Sequence, residues 1–114
     1  KALEIGPRLL NTFTTAYKFG IKIAFGTDSG VSYHGNNAQE FSYMVKGGMS
    51  EMEAIRSATI IPSEMLGISD ELGSVESGKL ADLIAVEGNP IKDITVLQKV
   101  VFVMKEGKIY KFQK

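Results

Sequence analysis

The first group in this sequence that could do chemistry is a carboxylate set among turn formers, Asp28 in Gly26-Thr27-Asp28-Ser29-Gly30. Such a carboxylate can hold a divalent cation, or take a proton from water and pass it on. Taken alone, the same Asp serves equally well as a turn or helix-capping residue. His34, the one histidine, and Asn37 lie just downstream in Tyr33-His34-Gly35-Asn36-Asn37, where they could touch a substrate or simply turn the chain. Ser29, Ser32 and Ser42 are close by, but no Gly-x-Ser-x-Gly elbow accompanies them, so serine nucleophilic catalysis is not expected. One Asp and one His also fall short of the three protein ligands that most catalytic zinc sites use. Without cysteine there is no disulfide, no thiolate metal site and no thiol nucleophile.

The elements that must position these residues are read from periodicity. Ile5, Leu9, Phe13, Ala16 and Tyr17 recur at helical spacing, with Gly20 as the stop, so a helix should end near Phe19. Ile21-Lys22-Ile23-Ala24-Phe25 suits a short strand ending at Gly26, and the turn-rich stretches after it form a long loop, where function concentrates. A helix is expected over residues 38–46. Ser50-Glu51-Met52-Glu53 then makes a capping box for a second helix that ends near Thr59 and turns Met52, Ile55 and Ala58 inward. Pro62 opens a third short helix that closes at Gly67.

From Leu72 onward the chain turns β. Gly73-Ser74-Val75, Ala81-Asp82-Leu83-Ile84-Ala85-Val86 and Val100-Val101-Phe102-Val103-Met104 are expected strands, and Glu106-Gly107 a two-residue hairpin turn. Asp82, at the head of an apolar strand, should bind the backbone amides of the Ser77-Gly78 turn. Met44, Met49, Met52 and Met65 are expected core residues.

Thirteen basic and thirteen acidic residues are scattered without a basic block, so neither nucleic acid nor an anionic membrane is an expected partner. No apolar run approaches the roughly 20 residues of a membrane-spanning helix, and the cytoplasm is the default expectation. The opening Lys1-Ala2-Leu3-Glu4 resembles neither a signal peptide nor an initiator methionine, as though the chain began in mid-protein.

Three blocks in order carry a family resemblance: Phe25-Gly26-Thr27-Asp28-Ser29-Gly30, then Glu51-Met52-Glu53-Ala54-Ile55-Arg56-Ser57-Ala58-Thr59, then Gly73-Ser74-Val75-Glu76-Ser77-Gly78-Lys79-Leu80-Ala81-Asp82-Leu83-Ile84-Ala85-Val86. Together they resemble the amidohydrolase superfamily, in its imidazolonepropionase-like and Xaa-Pro dipeptidase (prolidase)-like branch. The resemblance implies an α/β fold: the last strand and helices of a (β/α)8 metal-dependent hydrolase barrel, residues 1–70, followed by part of a small β-sandwich, residues 71–114. It makes residues 21–26 the eighth barrel strand and Asp28 the catalytic aspartate, which binds metal, orients the attacking water and shuttles its proton. It gives His34 and Asn37 a substrate-side role. The cofactor it implies is a divalent metal, zinc by expectation, with most of its ligands outside this chain.

The function expected from this likeness is hydrolysis of a C–N bond in a small peptide or cyclic amide, by a protein of which this chain, inactive alone, is the C-terminal piece. The alternative is a non-catalytic truncated module that self-associates or complements an N-terminal partner. Unpaired strand edges favour a partner under either reading, whether the missing N-terminal barrel portion or further copies in a homo-oligomer.

Overall fold

The computed structural model of the protein describes residues 2–30 and 33–114. Helix α1 spans Ala2–Lys18, α2 Gln39–Lys46, α3 Glu51–Ser57 and α4 Ile60–Met65. Strands β1 Leu83–Val86, β2 Val100–Lys105 and β3 Lys108–Phe112 come after them, with short 3-10 turns at His34–Asn36 and Ile94–Gln98. Helical and strand content is mixed, as expected. Ser32, one of the serines considered above, and the side chain of Ile5 lie outside the described residues.

Helix α1 ends as its sequence predicts. Gly20 takes φ +78°, and the Ile21 amide donates to the Ala16 carbonyl at 3.2 Å, closing the last turn in a left-handed cap. Phe13 and Tyr17 turn toward the core, whereas Leu9 is exposed. The core itself is Met44, Met49, Ala54, Ile94 and Leu97, with Phe13, Tyr17, Ile23, Phe25, Phe41, Val45, Ile55 and Val86 packed around it. The 3-10 turn that carries Ile94 and Leu97 therefore seals the helical layer from the β side of the chain.

Residues 21–26 depart from expectation. They form no strand, because a strand exists only through a neighbour's backbone; past the Ile21 amide that closes α1, the segment is located by the backbone hydrogen bond from Phe25 N–H to the Ser57 carbonyl at 2.8 Å. Phe25 also packs against Phe41, with ring centroids 4.6 Å apart and the planes tilted by 31°. The segment is thus pinned between α2 and the end of α3.

The Ser50 cap forms: its hydroxyl accepts from the Glu53 amide at 3.2 Å. The Glu53 carboxylate instead pairs with Arg56, one turn along α3, at 3.3 Å. Helix α3 ends at Ser57, and its inward face is Ala54 and Ser57, both almost fully buried. Met52 points outward at 51% exposure and Met65 at 68%, so only Met44 and Met49 of the four methionines fill the core. A helix of seven residues has room for one buried stripe, and the small residues take it because α2 and the 21–26 segment approach closely there.

Among the described residues the sheet is three-stranded and antiparallel, in the order β1-β2-β3. Residues 73–75 do not join it but turn the chain toward β1. The hairpin is a two-residue turn in which Glu106 and Gly107 both take positive φ, +50° and +79°, matching the twist of the strands it joins. Asp82 serves this turn rather than the Ser77-Gly78 turn: its Oδ1 accepts from the Glu106 amide at 2.8 Å. The local rule named the right residue type and the wrong partner, because β1 and the hairpin tip are neighbours only in space. Asp82→Ala should therefore cost about 1 kcal/mol in a urea titration and leave the Ser77-Gly78 turn unchanged; an unchanged midpoint would refute this role.

The loop that leads into β1 is held by Lys79, whose ammonium donates to the Ser69 carbonyl, the Ser74 hydroxyl at 2.6 Å and the Glu76 carboxylate at 3.0 Å. The Ser74 hydroxyl, then Lys79, hold the Glu76 carboxyl below its usual pKa. Stability from this carboxylate is complete above the unfolded value of about 4.3 and is lost as pH falls through the lower folded value. Acid titrations of the native and Glu76→Gln chains should diverge above that window and converge below it; parallel curves would remove Glu76 from the account.

Candidate active site

Past Phe25 the chain leaves the core and exposes Asp28, whose backbone is left-handed with φ +47°. Only Asp28 and Glu106 among the described non-glycine residues take positive φ. Asp and Asn enter that region more readily than other side chains, because a short polar side chain can bond locally. The Asp28 carbonyl accepts from the Gly30 amide at 2.8 Å, which tightens the turn and directs the carboxylate outward.

Two hydroxyls flank this residue. Thr27 Oγ1 and Ser29 Oγ share a hydrogen bond of 2.9 Å across Asp28, and Ser29 Oγ donates to Asn37 Oδ1 at 3.2 Å. The structure thus joins Asn37 to the Asp28 loop through Ser29. His34 is exposed on the 3-10 turn His34–Asn36, and no hydrogen bond or ion pair among the described residues ties it to Asp28. Ser42 is occupied elsewhere, accepting from Gln98 Nε2 at 3.4 Å. Sequence reasoning overlooks Thr27 and Ser29 as partners of each other. Hydroxyl residues on both sides of an Asp, with an Asn shortly downstream, were the available signal.

Among the described residues no three His, Cys, Asp or Glu side chains converge on a point where a cation could sit. An exposed carboxylate at the tip of a fixed turn fits one oxygen ligand of a divalent cation, and it does not fit a whole set. Other features of the described chain are structural. Lys79, Asp82 and Glu76, all in the third family-like block, bind the protein's own loops. No helix of the described residues is long and apolar enough to cross a membrane.

Comparison with known proteins agrees with the sequence resemblance. A sequence profile of the amidohydrolase family matches residues 8–110. An ochratoxinase of Aspergillus niger is 39% identical over 107 residues, which cover 90% of this chain and 22% of the ochratoxinase. The crystal structure of a Xaa-Pro dipeptidase with methionine bound in its active site superposes with a TM-score of 0.92 at 57% identity, covering 96% of this chain and 27% of the dipeptidase. A prolidase crystallised with N-methylphosphonate-L-proline superposes with a TM-score of 0.83 at 30% identity, over 91% of this chain and 26% of that one. The chain therefore spans about a quarter of the length of the proteins it matches. A match over nearly every residue, and a shared backbone at such identity, make this chain a member of the amidohydrolase family.

Proposed function

We propose that this chain is the C-terminal part of a metal-dependent hydrolase of C–N bonds, prolidase-like in substrate, and that it contributes Asp28 to the active site. The observation that carries the reading is Asp28 itself, an exposed carboxylate held in left-handed backbone just past residues 21–26, inside the first of the three family-like blocks. In this reading residues 21–26 are the eighth strand of a (β/α)8 barrel, completed by chain outside these 114 residues. Active sites of such barrels lie at the C-terminal ends of the strands, and Asp28 lies just past residue 26. Residues 71–114 would supply the sandwich portion.

Asp28 would hold one divalent cation, zinc by expectation, together with ligands from outside this chain. Such a cation would supply Lewis acidity, lowering the pKa of a bound water toward neutrality and polarising the scissile carbonyl. Asp28 then accepts the water proton as attack proceeds and returns it to the leaving nitrogen. His34 and Asn37, on the loop beyond, would contact the substrate. A small dipeptide such as Xaa-Pro is the expected substrate, on the strength of the 57% identical Xaa-Pro dipeptidase.

The second reading, a non-catalytic module that pairs with copies of itself, is favoured by exposed apolar residues on the sheet: Ile84, Ile109, Tyr110 and Phe112 are each more than half exposed. A chimera decides between them. The Xaa-Pro dipeptidase with its C-terminal part replaced by this chain should bind metal and hydrolyse dipeptides under the first reading. A folded, metal-loaded chimera without activity, beside self-association of the isolated chain in light scattering, would establish the second.

A further inference from the structure

We propose that Ser29 and Asn37 are positioning residues, a clamp that with Thr27 holds Asp28 in its left-handed backbone and so aims its carboxylate; the inference deepens the catalytic reading of Asp28 and rests on it. A non-glycine residue at φ +47° is strained, and such strain persists only where the surroundings over-determine it. Among the described residues three contacts act on Asp28. The Gly30 amide binds the Asp28 carbonyl at 2.8 Å, the hydroxyls of Thr27 and Ser29 join at 2.9 Å across the residue, and Ser29 donates to Asn37 at 3.2 Å. The first two are local and could form in any short peptide.

The third is different, because Asn37 lies eight residues on and is anchored by the helix beyond it. The Asn37 carbonyl accepts from the Glu40 amide at 3.2 Å at the entry to α2, and α2 carries Met44 into the core. The clamp therefore ties the reacting loop to packed structure. It also occupies one lone pair of Asn37 Oδ1, leaving the second lone pair and the amide nitrogen for a substrate. Displacing a reacting group by about 1 Å costs on the order of a hundredfold in rate, so a loosened Asp28 should lower turnover far more than binding.

Two readouts test this. In the isotope-labelled 114-residue chain, a strong intraresidue amide-to-Hα NOE at Asp28 marks the left-handed backbone. It should weaken in Ser29→Ala and in Asn37→Ala and persist in Ser29→Thr, which keeps the hydroxyl. In the chimera, each alanine variant should lower kcat about tenfold, with KM unchanged in Ser29→Ala, and the double variant should lose no more kcat than Ser29→Ala alone, since that change already breaks the connection to Asn37. An unaltered NOE in both alanine variants, a double variant whose kcat falls well below that of Ser29→Ala, or an Asn37→Ala effect confined to KM with kcat unchanged would overturn the clamp. An active Asp28→Asn chimera would instead overturn the catalytic reading, and the NOE result would stand apart from it.

Discussion

Asp28→Asn, placed in a dipeptidase whose C-terminal part is this chain, should lower kcat/KM for dipeptides about 10³-fold without disturbing the fold. Asn tolerates left-handed backbone as well as Asp does, so φ +47° costs the variant nothing new. Asn also keeps an oxygen of the same shape, so binding of a cation by the rest of the site should weaken rather than vanish. What Asn lacks is the capacity to take a proton. A general base in this position is worth about 10²–10⁴ in rate, and loss of both proton acceptance and ligand charge places the effect in the upper part of that range. Circular dichroism and metal content of the purified variant separate the causes. A folded, metal-loaded variant within about tenfold of the parent would remove Asp28 from catalysis.

The sequence shows unevenly through the fold, and the pattern has a physical cause. Features set by a few consecutive residues were legible: the stop at Gly20, the Ser50 cap, the turn at Glu106-Gly107. Features set by approach of distant segments were not. Residues 21–26 have strand composition, yet strand identity belongs to a pair of backbones, and here the segment rests on α3 instead. Asp82 has the nearest turn as its expected partner and binds the hairpin tip, 24 residues away. Met52 fits helical periodicity but faces outward, since α3 meets its neighbours through Ala54 and Ser57.

The site divides along the same line. Asp28 stands out because its neighbours form one family-like block, a local property. The link between Ser29 and Asn37 does not, because it depends on the approach of two residues eight positions apart. Lys79 is hidden for the same reason. A lysine in a polar loop reads as solvated, yet this one is largely covered and ties together Ser69, Ser74 and Glu76.

The largest effect on stability should come from Gly73→Ala, at about 3 kcal/mol or more. Two penalties meet at this position. Gly73 takes φ +100°, a conformation in which an L side chain is strained by about 1–3 kcal/mol. A methyl group there would also stand 2.8 Å from Ser63 Cβ and 3.0 Å from the Thr59 carbonyl oxygen. Ser63 is buried on α4, and Thr59 is backbone at the start of that helix, so neither yields without moving the helix. Overpacking of this kind adds about 1–3 kcal/mol. Gly78 supplies the control: φ is +91°, but nothing lies within 4 Å of the added methyl, so Gly78→Ala should show the backbone penalty alone. Since a small domain loses about 4–8 °C per kcal/mol, thermal melts should place Gly73→Ala at least about 10 °C below native, with Gly78→Ala between the two. Equal melting points for the two variants would mean that α4 moves freely against the Gly73 turn. The packing of the loop that carries Lys79 and Glu76 onto α4 would then be looser than its contacts indicate.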